Sequence, residues 1–287
     1  MERSLTGLSS RETGLLSEER VAAIVLSELE AGRALVVATV FATARSVPRR
    51  AGSKMIVFVD GRTVGSVGGG ELEQRVINDA MRSFTAHDPE AATIRTRTYE
   101  LVDVASGDPG VCGGTTEIII EPKYPNPTLL IIGCGHVGRA VADLAAWLGF
   151  RVVANDDRPE LATVALMPGA TVVVAGPVTD ALAAANLDHR SAVVVVTRNV
   201  AVDLVVLPEV LLTAAGYIGL MGSRRRWQVT GEQLAAAGVD AAQLSRIQTP
   251  IGLEIGAETP EEIAVSIMGS VISARRIAPN PASDDRA

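Results

Sequence analysis

Four glycine- or arginine-rich regions of this chain, one of them a pair of segments, carry residue types that can hold an anionic ligand. The first is Gly133-Cys134-Gly135-His136-Val137-Gly138, which has the spacing GxGxxG. It follows an apolar run and opens a segment in which Val137, Val141, Leu144, Ala145 and Leu148 recur at helical spacing. A second apolar run leads to Asn155-Asp156-Asp157, and Asp156 stands 18 residues after Gly138. Glycines at such a turn let the backbone approach a phosphate. The helix start adds free N–H groups and a positive dipole end, and the carboxylate falls where a ribose hydroxyl would lie. Gly133, Gly135, His136, Gly138 and Asp156 are therefore candidate cofactor-binding residues. The same glycines would also serve a tight turn that binds nothing. His136 is open to two roles, a hydrogen bond to phosphate or a helix cap. Cys134 reads as a small apolar filler or as a reactive thiol.

The second segment is Gly222-Ser223-Arg224-Arg225-Arg226-Trp227, after the apolar run at 217–221. Ligands of open parallel sheets sit at the carboxyl ends of strands, so Ser223 and Arg224 are candidates for gripping an anion. A solvated helix start is the plainer alternative. The third is the pair Ser46-Val47-Pro48-Arg49 and Gly65-Ser66-Val67-Gly68-Gly69-Gly70-Glu71-Leu72-Glu73. Successive glycines at a strand-to-helix junction expose backbone N–H groups as a nest, which nominates Gly68, Gly69 and Gly70 together with Ser46 and Arg49. The fourth is Asp108-Pro109-Gly110-Val111-Cys112-Gly113-Gly114. A thiol among arginines and free N–H groups would have a lowered pKa and would suit metal or sulfur chemistry, which nominates Cys112 with Gly113 and Gly114. An incidental loop cysteine is the alternative.

The elements that must position these loops follow from patterning. A helix is predicted over 17–30, with Ser17 as N-cap. Strands are predicted at 34–40, 54–60, 63–67, 93–101 and 115–121, and a helix from the triple glycine to about 84. Three prolines between Pro122 and Pro127 break the pattern. Beyond them, apolar runs at 128–132, 151–154, 170–175, 192–196 and 217–221 are mostly separated by helical segments, which predicts a doubly wound parallel sheet. Thr259-Pro260-Glu261-Glu262 reads as a capping box with Pro at the first helical position, and the loop 250–257 before it as a folded segment with a task. The predicted class is α/β: a small mixed α/β N-terminal domain (1–122), a Pro-rich linker (123–127), a Rossmann-like domain (128–277) and a frayed tail (278–287).

Composition bounds the chemistry. The 287 residues hold 26 Lys and Arg against 33 Asp and Glu, a formal net charge of -7, so no global basic field for nucleic acid exists. Cys112 and Cys134 are the two cysteines, which excludes a disulfide framework and a cysteine-ligated iron–sulfur cluster held by this chain alone. The polar N-terminus is unlike a signal peptide, and the most apolar stretch, 34–44, is too short for a bilayer. A soluble cytoplasmic protein without a membrane partner is the expectation.

Taken together, the segments resemble the xanthine dehydrogenase accessory family of XdhC/CoxI type. The likeness is carried by Ser46-Val47-Pro48-Arg49, the triple glycine with Glu73, Cys112-Gly113-Gly114, the Gly133–Gly138 turn, Asp156-Asp157-Arg158-Pro159, Tyr217–Arg224 and Pro250–Ala257. The resemblance implies a maturation factor or chaperone rather than an enzyme with turnover. Such proteins bind the molybdenum cofactor (molybdopterin, in mononucleotide or dinucleotide form) and hold it while a cysteine desulfurase installs the terminal sulfur. They then hand it to an apo molybdenum hydroxylase of the xanthine dehydrogenase or CO dehydrogenase type. Cys112 is then the candidate thiolate for molybdenum or sulfur. A two-domain chain that must meet partners often pairs, so a homodimer is expected. Two positions depart from the family pattern: Glu71 stands where some relatives carry a cysteine, and Thr197-Arg198 where relatives often carry Thr-His. The alternative reading is an NAD(P)-dependent oxidoreductase, which rests on the Rossmann unit alone.

Overall fold

In a computed structural model the chain is described at residues 16–44, 49–85, 92–100 and 114–276. It divides into two compact units, Met1–Pro125 and Asn126–Ala287.

The first unit begins with α1 (Glu18–Glu30), whose N-cap Ser17 accepts a hydrogen bond from the Arg20 N–H. β1 (Leu35–Ala44), β2 (Lys54–Phe58) and β3 (Thr63–Gly65) follow, then α2 (Gly70–Met81), β4 (Arg95–Glu100) and β5 (Thr115–Lys123). The strands form one antiparallel sheet in the order β3-β2-β1-β5-β4. The near-continuous apolar run of β1 has a simple cause. Val36, Ala38 and Val40 join Leu72, Val76 and Ala80 of α2 on one face, and Leu35 and Val37 join Val21 and Ile24 of α1 on the other. The register of β1 on β5 slips between Val40 and Ala42, and Phe41 stands exposed at this bulge.

Several boundaries differ from the sequence expectation: the first strand runs on to Ala44, the next two stop early at Phe58 and Gly65, and two others have a local cause. The helix after the triple glycine ends at Met81 and tightens into a 3₁₀ turn over Arg82–Phe84. The strand expected to stop at 121 continues through Pro122 and Lys123, paired to Val36 and Leu35. β4 reaches only to Ile120, so a proline at 122 forfeits no rung on that side.

The second unit runs β6 (Thr128–Ile132), α3 (His136–Trp147), β7 (Arg151–Asp156), β8 (Val172–Ala175), α4 (Val178–Ala185), β9 (Ala192–Val195) and α5 (Val200–Leu211). It finishes with β10 (Tyr217–Leu220), α6 (Arg224–Ala236), α7 (Ala241–Ser245), β11 (Ile247–Gln248) and α8 (Pro260–Arg276). All six strands are parallel, in the order β11-β10-β9-β6-β7-β8. Counted from β6, this is the 3-2-1-4-5-6 order of the doubly wound dinucleotide fold. Leu129 and Ile131 of β6 pack with α3 and α8, while Leu130 and Ile132 pack with α4 and α5. Each of these fully buried side chains stabilises by about 1.5–3 kcal/mol relative to exposure. Sequence patterning did not anticipate the two-residue β11. The crossover from β7 to β8 is made by irregular turns rather than a helix.

Candidate nucleotide-binding cleft

The strand order reverses between β6 and β9, where an open α/β sheet leaves a crevice at the carboxyl ends of its strands. The GxGxxG turn lies at the end of β6, and its three glycines have three different jobs. Gly133 has φ +117°, and a Cβ there would meet the Val196 carbonyl oxygen at 2.5 Å. A Cβ on Gly138 would come within 1.8 Å of the Gly133 carbonyl oxygen, so only glycine lets α3 close onto the turn. Gly135 faces open space, with nothing within 4 Å of a built Cβ. Gly135 is also the N-cap of α3 and supplies no side-chain cap, so backbone N–H groups of the first turn lack a side-chain acceptor. His136 is the first residue of α3 and is exposed. The capping role considered for it is therefore not the one it plays here.

Beside the turn is a cleft of about 220 Å³. The ends of β6, β7, β8 and β9 and the first half of α5 line it, including Gly133, Asp157, Pro177, Arg198 and Val205. Asp156 is buried, and its carboxylate is already engaged. It accepts the Cys134 N–H at 2.8 Å, the Arg158 N–H at 3.0 Å, and the Arg158 guanidinium at 2.9 and 3.0 Å. Asp156 thus clamps the glycine turn to the end of β7. Asn155 completes the clamp: its carbonyl accepts the Gly133 N–H at 2.7 Å and its amide donates to the Val174 and Gly176 carbonyls. Asp157, by contrast, is exposed and accepts a two-pronged grip from Arg198 at 2.6 and 2.7 Å. That guanidinium holds the Asp157 carboxyl down at about 2. Burial, and then the Asp156 charge, push the Cys134 thiol up to about 12. Cys134 is therefore a neutral, buried filler, and the reactive-thiol alternative does not hold for it.

The arginine segment divides. Arg226 turns inward and donates to Asp203, at 2.7 and 2.8 Å, and to the Thr197 hydroxyl and carbonyl. Asp203 is fully buried on α5 and also accepts from the Thr197 hydroxyl. This cluster ties the end of β9, α5 and α6 together. Ser223 caps α6 by accepting the Arg226 N–H, and Arg224 is exposed in the first turn. Neither Ser223 nor Arg224 lines the cleft. Arg198, Asp157, Asn155 and the Asp203–Arg226 pair escaped the sequence reading of the site. Asp157 was signalled by its neighbour Asp156, whereas Asp203 and Arg226 lie 23 residues apart with no local motif linking them.

In the first unit, the triple-glycine nest holds an anion of its own. Glu73 Oε1 accepts the Ser66 hydroxyl at 2.6 Å, the Gly69 N–H at 2.9 Å and the Val67 N–H at 3.3 Å. Gly68 donates to Ser66 Oγ, and Gly70 opens α2 with φ +57°. Arg49 is half-buried in the bend before β2, and Gly114 is buried directly before β5. Ser46, Cys112 and Gly113 lie outside the described residues. Among the described residues no group of three or more His, Cys, Asp or Glu is placed to hold a metal ion, and no helix is long and apolar enough to cross a membrane.

The sequence matches two family descriptions, the XdhC Rossmann domain over residues 129–271 and the XdhC and CoxI family over residues 28–99. The chain belongs to the XdhC and CoxI family. Its XdhC Rossmann domain is the unit that holds the glycine turn and the cleft. Among curated relatives, the chain is similar to the uncharacterized protein YqeB of Escherichia coli, with 33% identity over 82% of this chain and 42% of that protein. It is also similar to a probable xanthine dehydrogenase subunit of Bacillus subtilis, with 33% identity over 56% of this chain and 47% of that protein. The chain therefore spans less than half the length of either relative. A crystal structure of a xanthine dehydrogenase from Bacillus halodurans aligns over 90% of this chain and 97% of its own, at 21% identity and a TM-score of 0.47.

Proposed function

We propose that this XdhC and CoxI family member is a maturation factor for a molybdenum hydroxylase of the xanthine dehydrogenase type. It binds the molybdenum cofactor, holds it for sulfuration by a cysteine desulfurase, and delivers it to the apo-hydroxylase. The observation that carries the reading is the open glycine turn at the start of α3, beside a cleft between strand ends. The cofactor is an anionic pyranopterin phosphate or its dinucleotide, and the described residues fit its phosphate-bearing end. Gly135 leaves room for a phosphate, and the first-turn N–H groups of α3 would donate to it. The cofactor supplies the molybdenum centre on which the hydroxylase depends. By family likeness Cys112 is the candidate soft ligand or sulfur acceptor, and Ser46, Arg49, Gly113 and Gly114 are further cofactor-binding candidates of the first unit. A phosphate bound at Gly68–Gly70 would first have to displace the Glu73 carboxylate from the Gly69 N–H.

The test is direct. The purified chain is mixed with molybdopterin released from a donor hydroxylase, passed through a gel-filtration column, and assayed for pterin fluorescence and for activation of an apo-hydroxylase. Retention by the native chain is expected, and Cys112→Ala should weaken retention or block sulfuration. Unchanged retention and unchanged activation would remove Cys112 from the mechanism. The strand order also suits a second reading, an NAD(P)-dependent oxidoreductase. Steady nicotinamide reduction with a small alcohol or acid would favour it.

A further inference from the structure

The cleft has a shape and a chemistry that the phosphate end alone does not use. Its volume, about 220 Å³, falls below the roughly 300–1,000 Å³ that enclose a whole drug-sized ligand. It suits part of a nucleotide, a base and its sugar. Its walls are mainly aliphatic: Ile132, Pro177, Val178, Val202 and Val205 among them. Such walls take the faces of a flat heterocycle. Its polar groups are not equally available. Asp156 is buried and accepts four hydrogen bonds from Cys134 and Arg158. Thr197 is buried, with its hydroxyl held by Asp203 and Arg226. Asp157 and Arg198 remain, with side chains 48% and 40% exposed. Arg198 follows β9 and Asp157 follows β7, so their ion pair joins the two sides of the cleft. A carboxylate has about four lone-pair positions, and a two-pronged arginine takes two of them. The remaining acceptor capacity of Asp157, shared in part with its own backbone N–H, can meet ribose hydroxyls.

We propose that Asp157, rather than Asp156, reads the ribose of a nucleotide bound in this cleft, and that Arg198 is the residue that positions it. The ligand class is a nucleotide with free 2′ and 3′ hydroxyls. A 2′-phosphate would bring its charge against the Asp157 carboxylate and is rejected. A 2′-deoxyribose leaves an acceptor unmet. The Arg198 fork fixes the carboxylate across the cleft with two parallel donors, which a single-point cation could not do. The inference rests on the nucleotide part of the proposed function.

The experiment measures binding of ADP and CDP, of their 2′-deoxy forms, and of adenosine 2′,5′-bisphosphate to the full chain by titration calorimetry. For the wild type, the better ribonucleotide should bind roughly ten- to a hundredfold tighter than its deoxy form, the range for losing a hydrogen bond to a charged group. Asp157→Ala should weaken the ribonucleotide by at least that factor, weaken the deoxy form less, since it keeps only the 3′ hydroxyl, and bring their ratio close to one. Arg198→Ala should lower that ratio and Arg198→Lys should restore part of it, a pattern that a merely structural role would not produce. A ratio that survives in Asp157→Ala, or tighter binding of the 2′-phosphate than of the free ribose, overturns the inference while leaving nucleotide binding intact. A wild type that binds none of the probes overturns it and removes the nucleotide part of the maturation reading as well. Cofactor retention through Cys112 is read independently of this outcome.

Discussion

Arg226→Met tests whether the third arginine of the basic run is a structural residue. The change removes every side-chain donor that Arg226 offers, two to Asp203 and two to Thr197. It leaves a fully buried Asp203 carboxylate with only the Thr197 hydroxyl. Breaking a buried ion pair from one side costs about 3–5 kcal/mol, because the remaining charge keeps its desolvation penalty and loses its partner. For a unit the size of residues 126–287, each kcal/mol moves Tm by roughly 2–4 °C, so a fall of about 6–20 °C is expected. The double variant Asp203→Asn/Arg226→Met should recover much of this loss, since an aliphatic chain beside a neutral amide strands no charge. Thermal melts followed by circular dichroism, with urea titrations of the same proteins, give both numbers. Arg224→Ala and Arg225→Ala alter exposed positions and should shift stability by no more than about 0.5 kcal/mol. A loss below about 1 kcal/mol for Arg226→Met, or a double variant no better than the single, would refute the assignment.

Three further outcomes follow from the same geometry. Gly138→Ala drives a methyl into the Gly133 carbonyl and should destabilise by about 1–3 kcal/mol in denaturant titrations, whereas Gly135→Ala should leave stability near wild type and weaken ADP or CDP binding. Cys134, buried and with its thiol pushed up to about 12, should stay unmodified by iodoacetamide at pH 8 in the native protein and react once the chain is unfolded, as read by peptide mass spectrometry. Asp157 is held at about 2 by Arg198, below the roughly 3.9 of an unfolded aspartate, so its contribution is complete above about pH 4 and disappears as pH falls through about 2. The Tm difference between wild type and Asp157→Asn should therefore be flat from pH 5 to 8 and shrink below pH 4. It should also be small, because solvent screens a half-exposed pair.

Most of the fold is legible in the sequence because its signals are local. Each apolar run of the second unit became a strand, since a parallel sheet buried on both faces needs uninterrupted aliphatic stretches such as Leu129-Leu130-Ile131-Ile132. Glycine roles in the turn were legible for the same reason. Other features were not, and for a shared cause. The partners of Asp156 are the Cys134 backbone N–H, 22 residues away, and Arg158 through both its N–H and its side chain. Arg226 meets Asp203 only because β9, α5 and α6 converge. Whether a charged residue faces a ligand or a neighbour is decided by tertiary packing, which spacing along the chain does not encode. Pro122 misled the strand boundary because the cost of a proline depends on whether a neighbouring strand is present, and β4 had already ended.

The two glycine-rich helix starts make the same point more sharply. Both α2 and α3 begin with glycine N-caps that offer no side chain, and both looked like anion sites. They differ in what lies on the next turn of helix. Glu73 stands four residues after the N-cap of α2 and folds back to accept the Gly69 and Val67 N–H groups, with the Ser66 hydroxyl as a third donor. At the corresponding place after Gly135, α3 carries Arg139, a donor that cannot satisfy those N–H groups and would favour an incoming anion instead. The residue one turn into each helix thus separates a nest filled by its own chain from one left to a ligand. For this reason the nucleotide reading rests on α3, and an anion at α2 would have to compete with a carboxylate tethered beside it.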